Sequence, residues 1–343
     1  MRLAVFLPNW IGDVVMATPA LRALKKMVGD DGDLIGVMRP YVSEVLAGSP
    51  WLDEEILYSP KVKAGDRRQS GAIAKLRAAR VDMAVLLTNS LRTGWMAWRS
   101  GAARRVGTAG DLRRWLVNQR VDTEGAATID AYLKVAYAAG CGIEAPILEL
   151  ATTGEDEVAA DAVWDKLNLP TNNRVVVLNS GGAYGAAKHW PAEHFAAVAR
   201  RLAHEENLHV LVNCGPAERD IARTIVRRAD DRRVVSLADF DVPLGLTKAC
   251  IRRSRLLLTT DSGPRFFGIA FGKPVVSLFG PTSPDHTVTH YDQETPLTLS
   301  LDCQPCGKRT CPLGTHACMR DLSVGQVYTE VIQSLRQSQS AAA

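Results

Sequence analysis

Thr259-Thr260-Asp261-Ser262-Gly263-Pro264-Arg265 is the stretch whose reading decides the fold. It stands between the apolar run Arg255-Leu256-Leu257-Leu258 and a helix-like segment that ends at Phe271-Gly272-Lys273-Pro274. In order these are a strand, a tight polar turn and a helix start. Backbone N–H groups at a helix N-terminus point outward without intrahelical partners, so a diphosphate placed there gains hydrogen bonds and a favourable dipole together. A second turn of this kind opens the chain. There the apolar strand Leu3–Leu7 runs into Pro8-Asn9-Trp10-Ile11-Gly12-Asp13 and then into the amphipathic stretch Val14–Lys26. One strand–loop–helix unit in each half points to two nucleotide-type folds.

Working outward, the same alternation fills both halves. Strands are expected at Leu3–Leu7, Asp33–Met38 and Met83–Leu87, with helices at Val14–Lys26, Ser43–Gly48, Gly71–Ala79 and Ile129–Ala139. The second half gives strands at Arg174–Asn179, His209–Asn213, Val234–Leu237, Leu256–Thr260 and Val275–Phe279. Helices fall between them at Ala192–His204, Ala217–Ala229, Leu244–Ile251 and Arg265–Ala270. Alternating strands and helices imply an α/β fold with parallel sheets. A chain of 343 residues fits two domains of about 150 residues each. The polar stretch Ala151–Asn173 is the expected boundary, giving domains over 1–160 and 161–340, and the Gln/Ser/Ala-rich end after Arg336 reads as a frayed tail.

Apolar content of 46% with 23% charge describes an ordinary globular chain. No apolar run reaches the roughly 20 residues that a spanning helix needs, and the start lacks the features of a secretory signal, so a cytoplasmic protein is expected. Charge is unevenly placed. Residues 55–120 hold 14 Lys or Arg against 4 Asp or Glu, whereas residues 151–343 hold 21 of each. Arginines such as Arg67, Arg68, Arg104 and Arg105 suit nucleic acid, an anionic membrane surface or a phosphorylated, carboxylated substrate. A solvated helix surface is the plain alternative. Aromatic interleaving is thin and no nucleic-acid motif accompanies it, so nucleic acid is not the expected partner. Arginines beside Trp95 and Trp98 fit a membrane interface better.

Three motifs, LPNWIGDVVMATPALRALKK, LNSGGAYGAAKHWPAEHF and TTDSGPRFFGIAFGKPVVSLFGPTSPDHT, resemble in order and spacing the ADP-heptose:lipopolysaccharide heptosyltransferases, especially the heptosyltransferase II branch. The match covers nearly the whole chain. The resemblance implies the GT-B architecture, two Rossmann-like domains with parallel sheets facing across a cleft, acceptor on the first and nucleotide-sugar on the second. It implies an inverting glycosyltransferase that moves heptose from ADP-heptose to the anionic inner core of lipopolysaccharide, with peripheral contact at the inner face of the inner membrane. A nucleotide-sugar epimerase, or a non-catalytic sugar-nucleotide binder of the same fold, is the alternative.

Inverting transfer needs a base for the acceptor hydroxyl and positive charge at the departing diphosphate. Asp13 follows a strand end, where ligands of open α/β sheets collect, and matches the family's proposed catalytic base; a helix N-cap is its structural alternative. Lys188 lies beside a glycine-rich loop and resembles the family lysine at the diphosphate, where a flexible point charge neutralises the leaving group without a metal. By the same resemblance Ser180, Glu218, Asp261, Ser262 and Gly263 bind the donor: Glu218 at the ribose, Asp261 at sugar hydroxyls, Ser262 and Gly263 at the diphosphate. Glu218 in a first helical turn is equally a plain dipole partner. Arg67, Arg68, Arg104 and Arg105 are the expected acceptor contacts. The chain departs from the family at Phe266, where a histidine is usual, and Arg265 is the replacement cation the sequence offers.

Four cysteines fall within 16 residues, Cys303-x2-Cys306-x4-Cys311-x6-Cys318, while Cys141, Cys214 and Cys250 are scattered at apolar sites. In a reducing compartment such a cluster argues for metal before disulfides, with structural zinc the natural candidate. The second and third gaps are not the paired spacing of common zinc ribbons, so free or disulfide-linked cysteines remain open. No cofactor is expected for catalysis itself.

Overall fold

The computed structural model describes residues 1–59, 68–108, 110, 113–182 and 184–340. They form two compact units, Met1–Ala151 with Thr287–His290, and Thr152–His286 with Tyr291–Ala343. The change of unit falls at the very start of the polar stretch Ala151–Asn173, so residues 152–160 belong with the second unit.

Unit 1 runs β1 (Arg2–Phe6), α1 (Ile11–Met16), α2 (Thr18–Val28), β2 (Asp33–Met38), α3 (Pro40–Leu46), β3 (Glu54–Leu57), α4 (Arg68–Ala78), β4 (Met83–Leu86), α5 (Leu91–Ser100), β5 (Arg104–Gly107), β6 (Gln119–Arg120) and α6 (Thr128–Ala139). Its strands pair in parallel in the order β3-β2-β1-β4-β5-β6. Leu3, Ala4, Val5 and Phe6 of β1 are all fully buried. Burial on both faces is why the central strands read as continuous apolar runs. The single helix expected over Val14–Lys26 is instead two, α1 and α2, meeting at Ala17, with Pro19 in the first turn of α2. Proline lacks the N–H that a continuous helix would need there, so the helix restarts.

Unit 2 runs α7 (Gly154–Lys166), β7 (Val175–Asn179), α8 (Ala192–Glu206), β8 (His209–Asn213), α9 (Arg219–Ala229), β9 (Val234–Ser236), α10 (Leu244–Arg253), β10 (Leu256–Thr260), α11 (Gly263–Ala270), β11 (Val275–Leu278), β12 (Glu294–Leu297), α12 (Ala317–Arg320) and α13 (Val324–Ser340). Its strands are parallel in the order β12-β11-β10-β7-β8-β9. α7 occupies the stretch read as a boundary. A capping box starts it: Asp156 N donates to Thr153 Oγ1 at 3.1 Å, and Thr153 N donates to Asp156 Oδ2 at 2.9 Å. No frayed tail begins after Arg336, because α13 continues to Ser340, held by the buried Val327, Val331 and Leu335 at helical spacing.

Both sheets reverse strand order once, between β1 and β4 in unit 1 and between β7 and β10 in unit 2. Loops leaving the carboxyl ends of those strands diverge to opposite faces and open a crevice, the place where ligands of doubly wound sheets bind.

Candidate active site

In unit 2 the two loops at the switch point are the predicted ones. β7 ends in Asn179 and delivers Ser180-Gly181-Gly182; β10 ends in Thr260 and delivers Asp261 and Ser262, the N-cap of α11. Asn179 Nδ2 ties them together, donating to Gly181 O at 3.1 Å, Thr259 Oγ1 at 3.2 Å and Ser262 Oγ at 3.1 Å. Asn213 at the end of β8 donates to Asn179 Oδ1 at 2.8 Å. This network of Asn179, Asn213 and Thr259 was not expected. Its signal was nevertheless present, a polar residue closing each apolar strand. Glu218 packs against the loop glycine: a Cβ on Gly181 would stand 2.3 Å from its carboxyl carbon, so a larger residue there would push the Glu218 side chain aside. Glu218 is fixed there by accepting from Gly215 N at 2.6 Å. Ser180 is buried and its hydroxyl has no hydrogen-bond partner among the described residues, so a ligand oxygen arriving at this loop would satisfy it.

Lys188 closes the cradle. Only 8% exposed, its ammonium donates to Asp261 Oδ2 at 2.5 Å and to Asp261 O at 2.9 Å, over the Tyr184 ring. The Asp261 carboxylate is also tied into the protein: besides Lys188, Oδ2 accepts from Thr282 Oγ1 at 2.7 Å and Oδ1 faces Arg265 at 3.4 Å. Burial raises the Asp261 pKa, but the charges of Lys188 and Arg265 and the hydrogen bonds outweigh it and hold the carboxyl below its ordinary value. Arg265, the cation the sequence offers in place of the family histidine, is drawn into the interior of unit 2. It is 1% exposed and forked onto Glu294 at 2.5 and 3.0 Å. Phe266, standing where the family carries histidine, is buried with its ring 4.8 Å from the Arg265 guanidinium.

The cysteine segment supports this loop. Tyr184 Oη donates to Gly307 O at 2.6 Å, Ala187 N donates to Arg309 O at 3.0 Å, and His316 Nε2 lies 2.8 Å from Ala187 O. Cys303, Cys306, Cys311 and Cys318 line one small cavity with Ala187 and His316. Among the described residues, however, no three His, Cys, Asp or Glu side chains stand in an arrangement that could hold a metal ion. Through these hydrogen bonds the cysteine-rich strap positions the chain around Lys188.

In unit 1 the structure places Asp13 in the first turn of α1, after β1 and beside the switch point. It is not the N-cap, a position held by Trp10. Its charge reaches Tyr132 of α6, whose phenol is driven well above its ordinary pKa by burial and then by Asp13. The arginine expectations fare differently. Arg67 lies outside the described residues, and Arg68 opens α4. Arg104 and Arg105 open β5, at the amino edge of the sheet, opposite the edge that delivers Asp13. Their guanidinium groups donate to Ala139 O at 3.2 Å and to Leu116 O and Ala102 O at 2.8 and 2.7 Å. These bonds pin β5 to its neighbours.

The basic residues at the correct edge are others. Arg39 directly follows β2, and Tyr58, buried after β3, hydrogen-bonds it. Arg113, 3% exposed, donates to Thr88 O beyond β4 at 2.8 Å. Arg39 Nε and Arg113 Nε and Nη2 are buried without hydrogen-bond partners among the described residues. Desolvation lowers the Arg113 pKa, a cost that an anion seated against it would offset. The rule that located Asp13, a residue just past a strand end, locates Arg39 equally; Arg113 follows no such pattern.

Residues 72–317 match glycosyltransferase family 9 (heptosyltransferase). Lipopolysaccharide heptosyltransferase 2 of Escherichia coli K12 is 24% identical over 99% of this chain and 100% of its own length. Lipooligosaccharide heptosyltransferase 2 of Campylobacter jejuni is 25% identical over 96% of this chain and 98% of its own. Among solved structures, a family 9 glycosyl transferase from Veillonella parvula superposes with a TM-score of 0.83, at 24% identity, covering 98% of this chain and 97% of that one. ADP-heptose lps heptosyltransferase II of E. coli superposes with a TM-score of 0.82, at 21% identity, over 99% and 100% of the two chains. Two parallel sheets, each with one switch point that presents the family's motif residues, and a match over most of the chain lead to one conclusion: this protein is a GT-B glycosyltransferase belonging to glycosyltransferase family 9.

Proposed function

We propose that the enzyme transfers a heptose from ADP-heptose to a hydroxyl of the lipopolysaccharide inner core, inverting the anomeric centre. The observation that carries this reading is that each unit places suitable groups at its own switch point, the carboxylate Asp13 in unit 1 and Ser180, Ser262 and Lys188 in unit 2. Asp13 takes the acceptor hydroxyl proton; the oxygen attacks the anomeric carbon as its bond to the diphosphate breaks; ADP leaves with the bonding electrons. Lys188 gives two N–H bonds to Asp261, and the third meets a diphosphate oxygen. The Ser180 hydroxyl and the N–H groups opening α11 take the remaining charge. Glu218 accepts from the ribose hydroxyls beside Gly181. Arg39 and Arg113 hold anionic groups of the acceptor, the role first read onto Arg67, Arg68, Arg104 and Arg105.

The named relatives and the family match support the choice of donor and acceptor. The test is product analysis with ADP-heptose and a deacylated inner-core acceptor. Gain of one heptose mass, with the opposite anomeric configuration, is expected. Donor isomerisation without acceptor would favour an epimerase instead.

A further inference from the structure

One face of unit 1 carries exposed aromatic and basic side chains other than those assigned to the transfer reaction. On α5, Leu91, Trp95 and Trp98 stand at i, i+4 and i+7, on one side of the helix, and all three are exposed, the tryptophans by 40% and 48%. Trp115 is the most exposed tryptophan of the chain, at 78%. Its turn packs beside α5: a Cβ on Gly94 would lie 3.3 Å from Leu116 and 3.4 Å from Arg113. Guanidinium groups accompany the rings, Arg99 at 5.6 Å from Trp95 and Arg114 at 5.3 Å from Trp115. The sequence has no Asp or Glu between Asp82 and Asp111 to oppose them.

We propose that this face, Leu91, Trp95, Trp98 and Trp115 with Arg99 and Arg114, docks the enzyme on an anionic lipid surface. Indole rings favour the headgroup level of a bilayer, apolar body inward and N–H toward water. Arginine stems lie along apolar material while their heads meet lipid phosphates. Neither a purely apolar nor a purely polar partner satisfies both sets of groups. Among the described residues no helix is long and apolar enough to cross a membrane, so attachment through this face would be peripheral. Placement agrees with the proposed acceptor, on which the meaning but not the test of this inference rests: α5 starts at the sheet edge where Arg113 reaches Thr88.

The test is co-sedimentation of the full chain with phosphatidylcholine vesicles, with and without phosphatidylglycerol. Salt-sensitive binding to the anionic vesicles is expected. The triple variant Trp95→Ser, Trp98→Ser, Trp115→Ser and the pair Arg99→Glu, Arg114→Glu should each lower the partition on the order of tenfold. Both variants should keep the thermal midpoint and turnover on a soluble deacylated acceptor. Equal partition of wild type and triple variant, or no binding by wild type, would overturn the proposal. Loss of turnover on the soluble acceptor with unchanged thermal midpoint would reassign the face to acceptor sugars, and a concentration-dependent dimer abolished by the triple variant would reassign it to a second copy. Vesicle binding without any heptose transfer would leave this surface standing and sink the transfer reading alone.

Discussion

Replacing Lys188 by Met should destabilise unit 2 in a pH-dependent way, and the structure sets both size and sign. The substitution removes the ammonium 2.5 Å from the Asp261 carboxylate, in a pair where both side chains are about nine-tenths buried. Leaving one charge of a buried pair uncompensated costs about 3–5 kcal/mol. Thr282 at 2.7 Å and Arg265 at 3.4 Å stay in place, so the lower end, about 3 kcal/mol, applies. For a unit of this size that is a fall of about 6–12 °C in the thermal midpoint. In the wild type the Asp261 pKa lies below its ordinary value, so its ionised form stabilises above the unfolded pKa and that stability is lost as pH falls through the folded one. Without Lys188, burial pushes the carboxyl up. The deficit of the variant should therefore be full near pH 7 and shrink toward about pH 4, as the stranded carboxylate protonates. Thermal unfolding followed by tryptophan fluorescence, with Trp190 buried in unit 2, reads this directly. Adding Asp261→Asn to the variant should restore part of the loss. A deficit under about 1 kcal/mol, or one equal at both pH values, would refute the reasoning.

Gly185→Ala should weaken ADP binding at least several-fold: its φ of +148° is strained for a side chain, and the new Cβ would meet Arg309 O at 2.5 Å, displacing the Lys188 loop; unchanged affinity by calorimetry would count against the strap. A thiol reagent should label Cys311 first, because backbone N–H groups led by that of His316 hold its pKa below the ordinary value, and should spare Cys214 and Cys250, which burial pushes up to about 11 and about 12. Peptide mapping checks the order; stoichiometric zinc released on labelling would replace this account with a metal-held strap. Arg113→Met should raise the acceptor KM by at least roughly tenfold and leave donor affinity unchanged, as for loss of a charged hydrogen-bond donor. Equal effects on both substrates would remove the residue from the acceptor side.

Central strands and their turns were readable because each is buried on both faces and ends in polar residues, as at Leu256–Thr260 followed by Asp261. What escaped were elements whose periodicity is weak. β3 reads Glu-Glu-Ile-Leu with a single buried side chain, β5 opens on two arginines, and the two-residue β6 carries no pattern at all. α7 escaped although Thr153 and Asp156 announce its start, since polar composition masked its buried Ala160, Val163 and Trp164. Motif position pointed to Asp13, Ser180, Lys188 and Ser262, which lie at or beside the two switch points. Motif position could not reveal who pairs with whom. Asp261 and Arg265 are adjacent to the ligand loop in sequence yet face inward, to Lys188 and Glu294, partners 73 and 29 residues away. Charge density could not place Arg104 and Arg105, because composition does not distinguish the amino from the carboxyl edge of a sheet.

Asp13→Asn tests the central claim most directly. The substitution keeps shape and removes the proton acceptor, in a unit separate from the donor cradle. Wild type and variant are compared for ADP affinity by calorimetry and for heptose transfer to a deacylated inner-core acceptor by product mass. The account predicts ADP affinity unchanged and transfer reduced by at least about 100-fold, the scale of general-base catalysis. Transfer at near wild-type rate would contradict it and take Asp13 out of the chemistry.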